Sequence, residues 1–146
     1  MKKETLFVLV LLSVFVFACS SSANNDSKSA VVSEFNTKQA DVNASLDAMS
    51  IPLQRWNGFF TKKENGETRL IYAEDFHTTY REFSQKANTS LAKINDFEKF
   101  IDNNDAELKK EKIDTVSVKN NLEIIKEAIN NKLNSMKKYL ENIPEQ

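Results

Sequence analysis

The sequence predicts an all-α protein, an elongated up-down-up bundle of three long helices. Glycine and proline each occur only twice in 146 residues, which removes most of the turn chemistry that a β-sandwich or barrel needs. From position 32 onward, apolar residues recur in steps of three and four, the spacing of helices that bury one stripe. Three such stripes must pair, and short connections make successive helices antiparallel.

The first 18 residues have the features of a secretory signal peptide. Lys2 and Lys3 precede a largely apolar run, Leu6 to Ala18, that is too short to span a bilayer core of about 30 Å as a helix. We therefore expect residues 1–18 to be removed from the mature protein. The next segment, 19–30, has no large apolar side chain, and we expect it to be a flexible tether before a single helical domain at 31–146.

The only cysteine, Cys19, follows this run directly, within Val16-Phe17-Ala18-Cys19. This tetrapeptide resembles the lipobox of bacterial lipoproteins. The resemblance implies that Cys19 receives a diacylglyceryl group, that cleavage occurs before it, and that the new N-terminus is acylated, palmitate being the typical fatty acid. It covers only residues 1–19. It implies attachment to the cell envelope: to the outer membrane in a Gram-negative organism, because Ser20 and not aspartate follows Cys19, and otherwise to the outer face of the cell membrane.

The first helix carries a stripe that begins at Val32. Pro52 lies within this pattern, removes a backbone donor and clashes with the preceding turn, so we expect a kink or an end near it. The stripe keeps its register past Pro52, which favours a kink over a new helix that starts at Ser50. The stripe consists of Val32, Phe35, Val42, Leu46, Met49, Leu53 and Trp56, with Gln39 at the one skipped position.

The connection at 59–72 has two interpretations. Asn65-Gly66 suits a type I′ turn, so the flanks could pair as a small hairpin. Alternatively, a helix ends in a loop at Gly66 and a new helix follows. The flank before the turn alternates poorly and Leu70-Ile71-Tyr72 is continuously apolar, which favours the loop.

The second helix is predicted from Tyr72 to Ile101, followed by a break at Asp102-Asn103-Asn104-Asp105. The third is expected to start at Asp114 or Thr115 and to stop at Pro144. The second stripe consists of Tyr72, Phe76, Tyr80, Phe83, Ala87, Leu91, Ile94, Phe97 and Ile101. The third consists of Val118, Leu122, Ile125, Ile129, Leu133, Met136, Leu140 and Ile143.

Composition and motifs argue against several functions. The net charge of -1 gives no basic surface for nucleic acid. His77 is the only histidine, and we expect it to lie at the surface or boundary of the bundle, beside Glu74 and Arg81, and not to act as a catalytic base. Neither a Gly-x-Ser-x-Gly elbow nor a glycine-rich phosphate loop is present. We therefore expect no enzyme activity, no metal and no cofactor.

The residues most suited to contact a partner lie around Trp56, the only tryptophan. Arg55, Trp56, Phe59 and Phe60 combine arginine with aromatic side chains, the types that dominate binding hot spots. The structural alternative is that Trp56 and one phenylalanine close the end of the bundle. Phe59 and Phe60 are adjacent and cannot both face inward, so the one left outside is the better candidate contact.

The leading hypothesis is a non-catalytic, lipid-anchored envelope protein that acts through protein–protein contact as an accessory, scaffold or surface-interaction module. One alternative is an envelope carrier that binds a lipid or another apolar ligand between its helices. A second is an envelope hydrolase that uses paired carboxylates, for which the sequence offers no environment that would raise a carboxyl pKa.

Overall fold

The computed structural model describes residues 29–60 and 73–143, which form three α-helices. These are α1 (Ala30–Gly58), α2 (Ala73–Lys110) and α3 (Thr115–Leu140), and the described ranges contain no strand. α2 is the middle helix and packs against both α1 and α3. The predicted all-α, up-down-up bundle of three long helices is confirmed. The signal peptide, Cys19, nearly all of the tether, the predicted hairpin or loop from residue 61 onward and the stop at Pro144 lie outside the described residues.

α1 begins where Ser29 accepts a hydrogen bond from the backbone N–H of Val32, at 3.4 Å from its Oγ. Serine is a favoured residue at this position because its side chain satisfies one of the free N–H groups of the first turn. The helix continues through Pro52 as one element, which excludes a separate helix that starts at Ser50. Its predicted stripe is buried from Phe35 to Trp56, whereas the first turn buries Val31 in place of Val32.

The predicted break at Asp102–Asp105 is wrong, because α2 continues to Lys110. Asp and Asn are weak helix formers, and two interactions stabilise the helix across this segment. The side-chain amide of Asn104 donates a 2.8 Å hydrogen bond to the carbonyl of Phe100, and Lys109 pairs with Asp105 one turn away at 2.7 Å. Leu108, fully buried, lies at helical spacing from Ile101 and attaches this last segment to the core.

The connection between α2 and α3 is a tight turn at residues 111–114. Lys112 has a positive φ of 61°, and Ile113 N–H donates to the carbonyl of Leu108 at 3.0 Å, as in a Schellman motif. Asp114 then accepts a 3.0 Å hydrogen bond from the backbone N–H of Ser117 and caps α3. The predicted start of the third helix is therefore confirmed.

The core is wider on α2 than one apolar stripe provides. Because α2 faces two helices, it buries Thr79, Ser90 and Phe100 in addition to the predicted stripe. Within that stripe Tyr80 and Leu91 are partly buried, and Tyr72 lies outside the described residues. The ring of Phe97 packs edge to face on Phe35 of α1, with ring centroids 5.1 Å apart. The buried polar side chains of the described residues all have hydrogen-bond partners. In Ser90, for example, the hydroxyl donates to the carbonyl of Lys86.

Candidate functional site

Five aromatic side chains from three helix ends meet at one end of the bundle. Trp56, Phe59 and Phe60 come from the end of α1, Phe76 from the first turn of α2, and Tyr139 from the last turn of α3. The antiparallel topology brings them together, because α1 and α3 end where α2 begins. We call this cluster the aromatic end.

Three of these rings form a buried base. Trp56 packs edge to face on Phe76 at 5.5 Å between ring centroids, and Phe59 packs on Phe76 at 4.5 Å. All three side chains are buried. Such pairs contribute roughly 0.5–1.5 kcal/mol each beyond the burial of their area. The base of the aromatic end is therefore a fixed part of the fold.

The other two rings lie on this base and face solvent. Phe60 and Tyr139 pack edge to face with centroids 5.1 Å apart. Phe60 is 51% exposed and Tyr139 is 38% exposed. Each also contacts the base, since Tyr139 lies 5.6 Å from Trp56 and Phe60 lies 5.9 Å from Phe76. The result is an exposed aromatic pair held by buried rings.

Phe59 and Phe60 have different environments because consecutive residues at a helix end point in different directions. The N–H of Phe59 bonds to the carbonyl of Trp56, and the N–H of Phe60 bonds to the carbonyl of Asn57, so both continue the last turn of α1. Phe59 is directed inward and Phe60 outward. Of the two adjacent phenylalanines, Phe60 is the better candidate contact.

Arg55 belongs to a different part of the surface. Its Nη1 pairs with Oε2 of Glu82 on α2 at 2.7 Å, and Lys86 lies 3.9 Å from the same carboxylate. The structure thus brings together three of the four predicted contact residues, Trp56, Phe59 and Phe60, and turns Arg55 toward α2. Because the Arg55–Glu82 pair is partly exposed, we expect it to contribute little to stability.

Tyr139 is the member of the aromatic end that the sequence did not identify. It lies outside the apolar stripe of α3, next to the buried Leu140, and its only signal is an aromatic residue in a polar stretch near a helix end. Phe76 was predicted as a core residue, and it is buried. Their association with Trp56 depends on tertiary contacts that no local pattern encodes.

His77 connects α2 to the residues after α3. Its Nε2 lies 3.0 Å from the carbonyl oxygen of Ile143, to which it donates a hydrogen bond, and its side chain is partly buried. His77 thus lies at the boundary of the bundle. Its bond to Ile143 holds the chain after α3 against the start of α2, beside the aromatic end.

Elsewhere the surface has charged grooves. One of about 270 Å³ lies between α1 and α2 and is lined by Lys38, Asp41, Ala92, Lys93 and Asp96. The hydrogen bond of 2.7 Å between Lys38 and Asp96 raises the pKa of the lysine and lowers the pKa of the aspartate. The two charged side chains of this pair line the groove and bond to each other.

Within residues 29–60 and 73–143, no three His, Cys, Asp or Glu side chains lie close enough together to hold a metal ion. No helix in the described part of the chain has the length and apolar character to cross a membrane. No protein-family model, curated protein or solved structure matches the chain.

Proposed function

We propose that this chain is a lipid-anchored cell-envelope protein that acts by contacting another envelope protein through its aromatic end. The observation that carries the proposal is the exposed pair of Phe60 and Tyr139 on a buried aromatic base. Exposed apolar groups on a rigid support are typical of interaction surfaces. Rings already fixed by their neighbours lose little conformational entropy when a partner binds.

The position of the aromatic end relative to the proposed anchor supports this role. α1 begins at Ala30, eleven residues after Cys19, and the aromatic end lies at the opposite end of that helix. At 1.5 Å per residue, α1 is about 43 Å long. A lipid on Cys19 would therefore hold the protein at the membrane through one end and leave the other end available to a partner.

The contacts of Trp56 favour this role over that of a carrier. A carrier that binds an apolar ligand near Trp56 needs space beside the indole. In the structure, the rings of Phe59, Phe76 and Tyr139 surround it. These rings fill the end of the bundle around the indole and form an aromatic outer surface.

The proposal is tested by capturing partners in intact bacteria. The full-length protein, Cys19→Ser, Phe60→Ala and Ile51→Ala are expressed at equal levels, crosslinked, and analysed by quantitative mass spectrometry. Ile51 is the matched control, because it is 59% exposed on α1 and, unlike Phe60, has no place in the aromatic end.

We expect one envelope protein to be captured by the wild type and by Ile51→Ala, and to be reduced at least fivefold with Phe60→Ala and with Cys19→Ser. Equal capture by Phe60→Ala and the wild type would contradict the role of the aromatic end. Equal capture by Cys19→Ser would contradict the role of the anchor.

A further inference from the structure

Among the described residues, ion pairs border two of the three seams between the helices. Each pair joins a side chain of α2 to a side chain of a neighbouring helix, at 2.6 to 2.9 Å between nitrogen and oxygen. The pairs are Lys38–Asp96 and Arg55–Glu82 on the α1/α2 seam, and Lys119–Asp102 and Lys126–Glu98 on the α2/α3 seam.

The third seam, between α1 and α3, differs in both spacing and chemistry. The backbones of α1 and α3 approach closely at isolated points at most, in contrast to the extensive approach of each to α2. Lys132 of α3 lies 3.5 Å from Oδ1 of Asn57 of α1, to which it donates a hydrogen bond. These two residues mark the face that each helix turns toward the other.

Helical spacing extends this face along both helices. Ser50 and Asn43 lie seven and fourteen residues before Asn57, and Ala128 and Asn121 lie four and eleven residues before Lys132. We define the α1/α3 face by ten residues and by Asp47 at its edge, four residues after Asn43 and three before Ser50, so that the face carries one lysine and one aspartate. The ten residues are Val32, Gln39, Asn43, Ser50 and Asn57 of α1, and Asn121, Ile124, Ala128, Lys132 and Ser135 of α3.

We propose that the α1/α3 face binds the same face of a second copy of this chain, which makes a two-fold symmetric dimer. A symmetric interface brings each surface against itself, so a face rich in one charge would repel its copy. Asparagine and glutamine amides both donate and accept hydrogen bonds, so a face rich in them is self-complementary. Ile124, 51% exposed, provides an apolar contact within this face.

The size of the face is sufficient for a dimer. α3 has 26 residues and is therefore about 39 Å long. With a width of roughly two helix diameters, about 20 Å, the face offers on the order of 800 Å² per copy, the area that a standard interface buries. Tyr139 of the aromatic end continues this face, seven residues after Lys132, whereas Phe60 lies at the end of the bundle. The dimer is therefore tested at Ile124, fifteen residues before Tyr139, which keeps its test separate from that of the proposed partner contact.

The first test measures molar mass by light scattering on the full-length protein in mild detergent, over a hundredfold range of concentration. Ile124→Glu places a charge in the face. Val116→Glu is the matched control, because Val116 is an exposed aliphatic residue of α3 that lies about 160° around the helix from Lys132 and about 80° from Ile124. Circular dichroism verifies that both variants keep the helical content of the wild type.

We expect the wild type and Val116→Glu to be dimers at high concentration, and Ile124→Glu to need at least tenfold more protein to dimerise. A wild type that is monomeric over the whole range would overturn the proposal. An Ile124→Glu protein that dimerises as readily as the wild type would overturn it as well.

The second test locates the contact by disulfide formation. Cys19 is the only cysteine, so in a Cys19→Ser background any new cysteine reports one position. We expect Asn121→Cys to form a disulfide-linked dimer on mild oxidation severalfold faster than Asn130→Cys, an exposed position that lies beyond the α1/α3 face. Equal rates at the two positions would show that the face does not meet itself.

Discussion

The hydroxyl of Thr115 donates a 2.5 Å hydrogen bond to Oδ1 of Asp105 and thereby joins the start of α3 to the last turns of α2. Lys109 donates to Oδ2 of the same carboxylate at 2.7 Å. The bond from Lys109, followed by that from Thr115, lowers the pKa of Asp105 from its ordinary value. Hydrogen bonds from Ser117 lower the pKa of Asp114, four residues from the end of α2, in the same way.

These two carboxylates predict that acid destabilises the α2–α3 turn. A carboxylate whose pKa is lowered by folding stabilises the native state above its unfolded pKa of about 4, and this contribution is lost as the pH falls through the folded pKa. We expect the thermal midpoint to be steady from pH 7 to about pH 5 and to fall below about pH 4. Thermal unfolding followed by circular dichroism at each pH measures this.

We expect the thermal midpoint of Asp105→Asn to fall less steeply as the pH decreases, because an amide does not titrate in this pH range. Thr115→Val should have a smaller effect in the same direction, since Lys109 still pairs with Asp105. An acid dependence of Asp105→Asn identical to that of the wild type would show that this carboxylate does not link folding to pH.

Lys112 predicts a stabilising substitution. Its φ of 61° lies in the left-handed region, which costs a residue with a Cβ atom roughly 1–2 kcal/mol and glycine little. We expect Lys112→Gly to raise the free energy of unfolding by about 1 kcal/mol. This net value includes the opposing effect of glycine's greater conformational entropy in the unfolded chain. Lys110→Gly, inside the last turn of α2, should instead lower it by up to about 1 kcal/mol. Urea unfolding of both variants decides the sign, and a Lys112→Gly protein less stable than the wild type would refute the assignment.

Phe97 allows a prediction of how much a cavity in the core lowers the free energy of unfolding. Its side chain is fully buried and packs on Phe35. We expect Phe97→Ala to lower the free energy of unfolding by about 3–5 kcal/mol, because it removes buried apolar area and leaves a cavity. Ile51→Ala, at a position 59% exposed, should change it by less than about 0.5 kcal/mol. Urea unfolding measures both, and similar small losses would mean that α1 and α2 do not pack as described.

Cys19 predicts membrane attachment. We expect the wild-type protein to remain in the membrane fraction after high salt and to incorporate radiolabelled palmitate. Cys19→Ser should incorporate none, because the proposed lipid attachment requires the thiol of Cys19, which a serine hydroxyl does not replace. Fractionation and labelling in a bacterial host measure both properties. Labelling of Cys19→Ser equal to that of the wild type would contradict the lipobox assignment.

The periodic parts of the sequence predicted the fold well. The stripes of α1 and α3 gave the buried residues from Phe35 to Trp56 and from Leu122 to Leu140, because regular spacing directly encodes which face of a helix is buried. The error at 102–105 arose from weighting local propensity. Asp and Asn are weak helix formers, yet burial of Leu108 and the Asn104 and Lys109 side-chain bonds favour helix there.

The candidate site was predictable only in part. The cluster around Trp56 could be identified from residue type, and adjacency required that only one of Phe59 and Phe60 face inward. The contribution of Tyr139 depends on which helix ends meet, and the pairing of Arg55 depends on the register between α1 and α2. Both are properties of tertiary packing, which one sequence does not specify locally.

The proposed partner contact is tested most directly by a photocrosslinking amino acid placed at position 60 or at position 51 of the full-length protein in living bacteria. The proposal predicts that position 60 yields one discrete crosslinked envelope protein and that position 51, exposed on α1 away from the aromatic end, yields little of it. Absence of any crosslink at position 60, or equal yields of the same product at both positions, would contradict it.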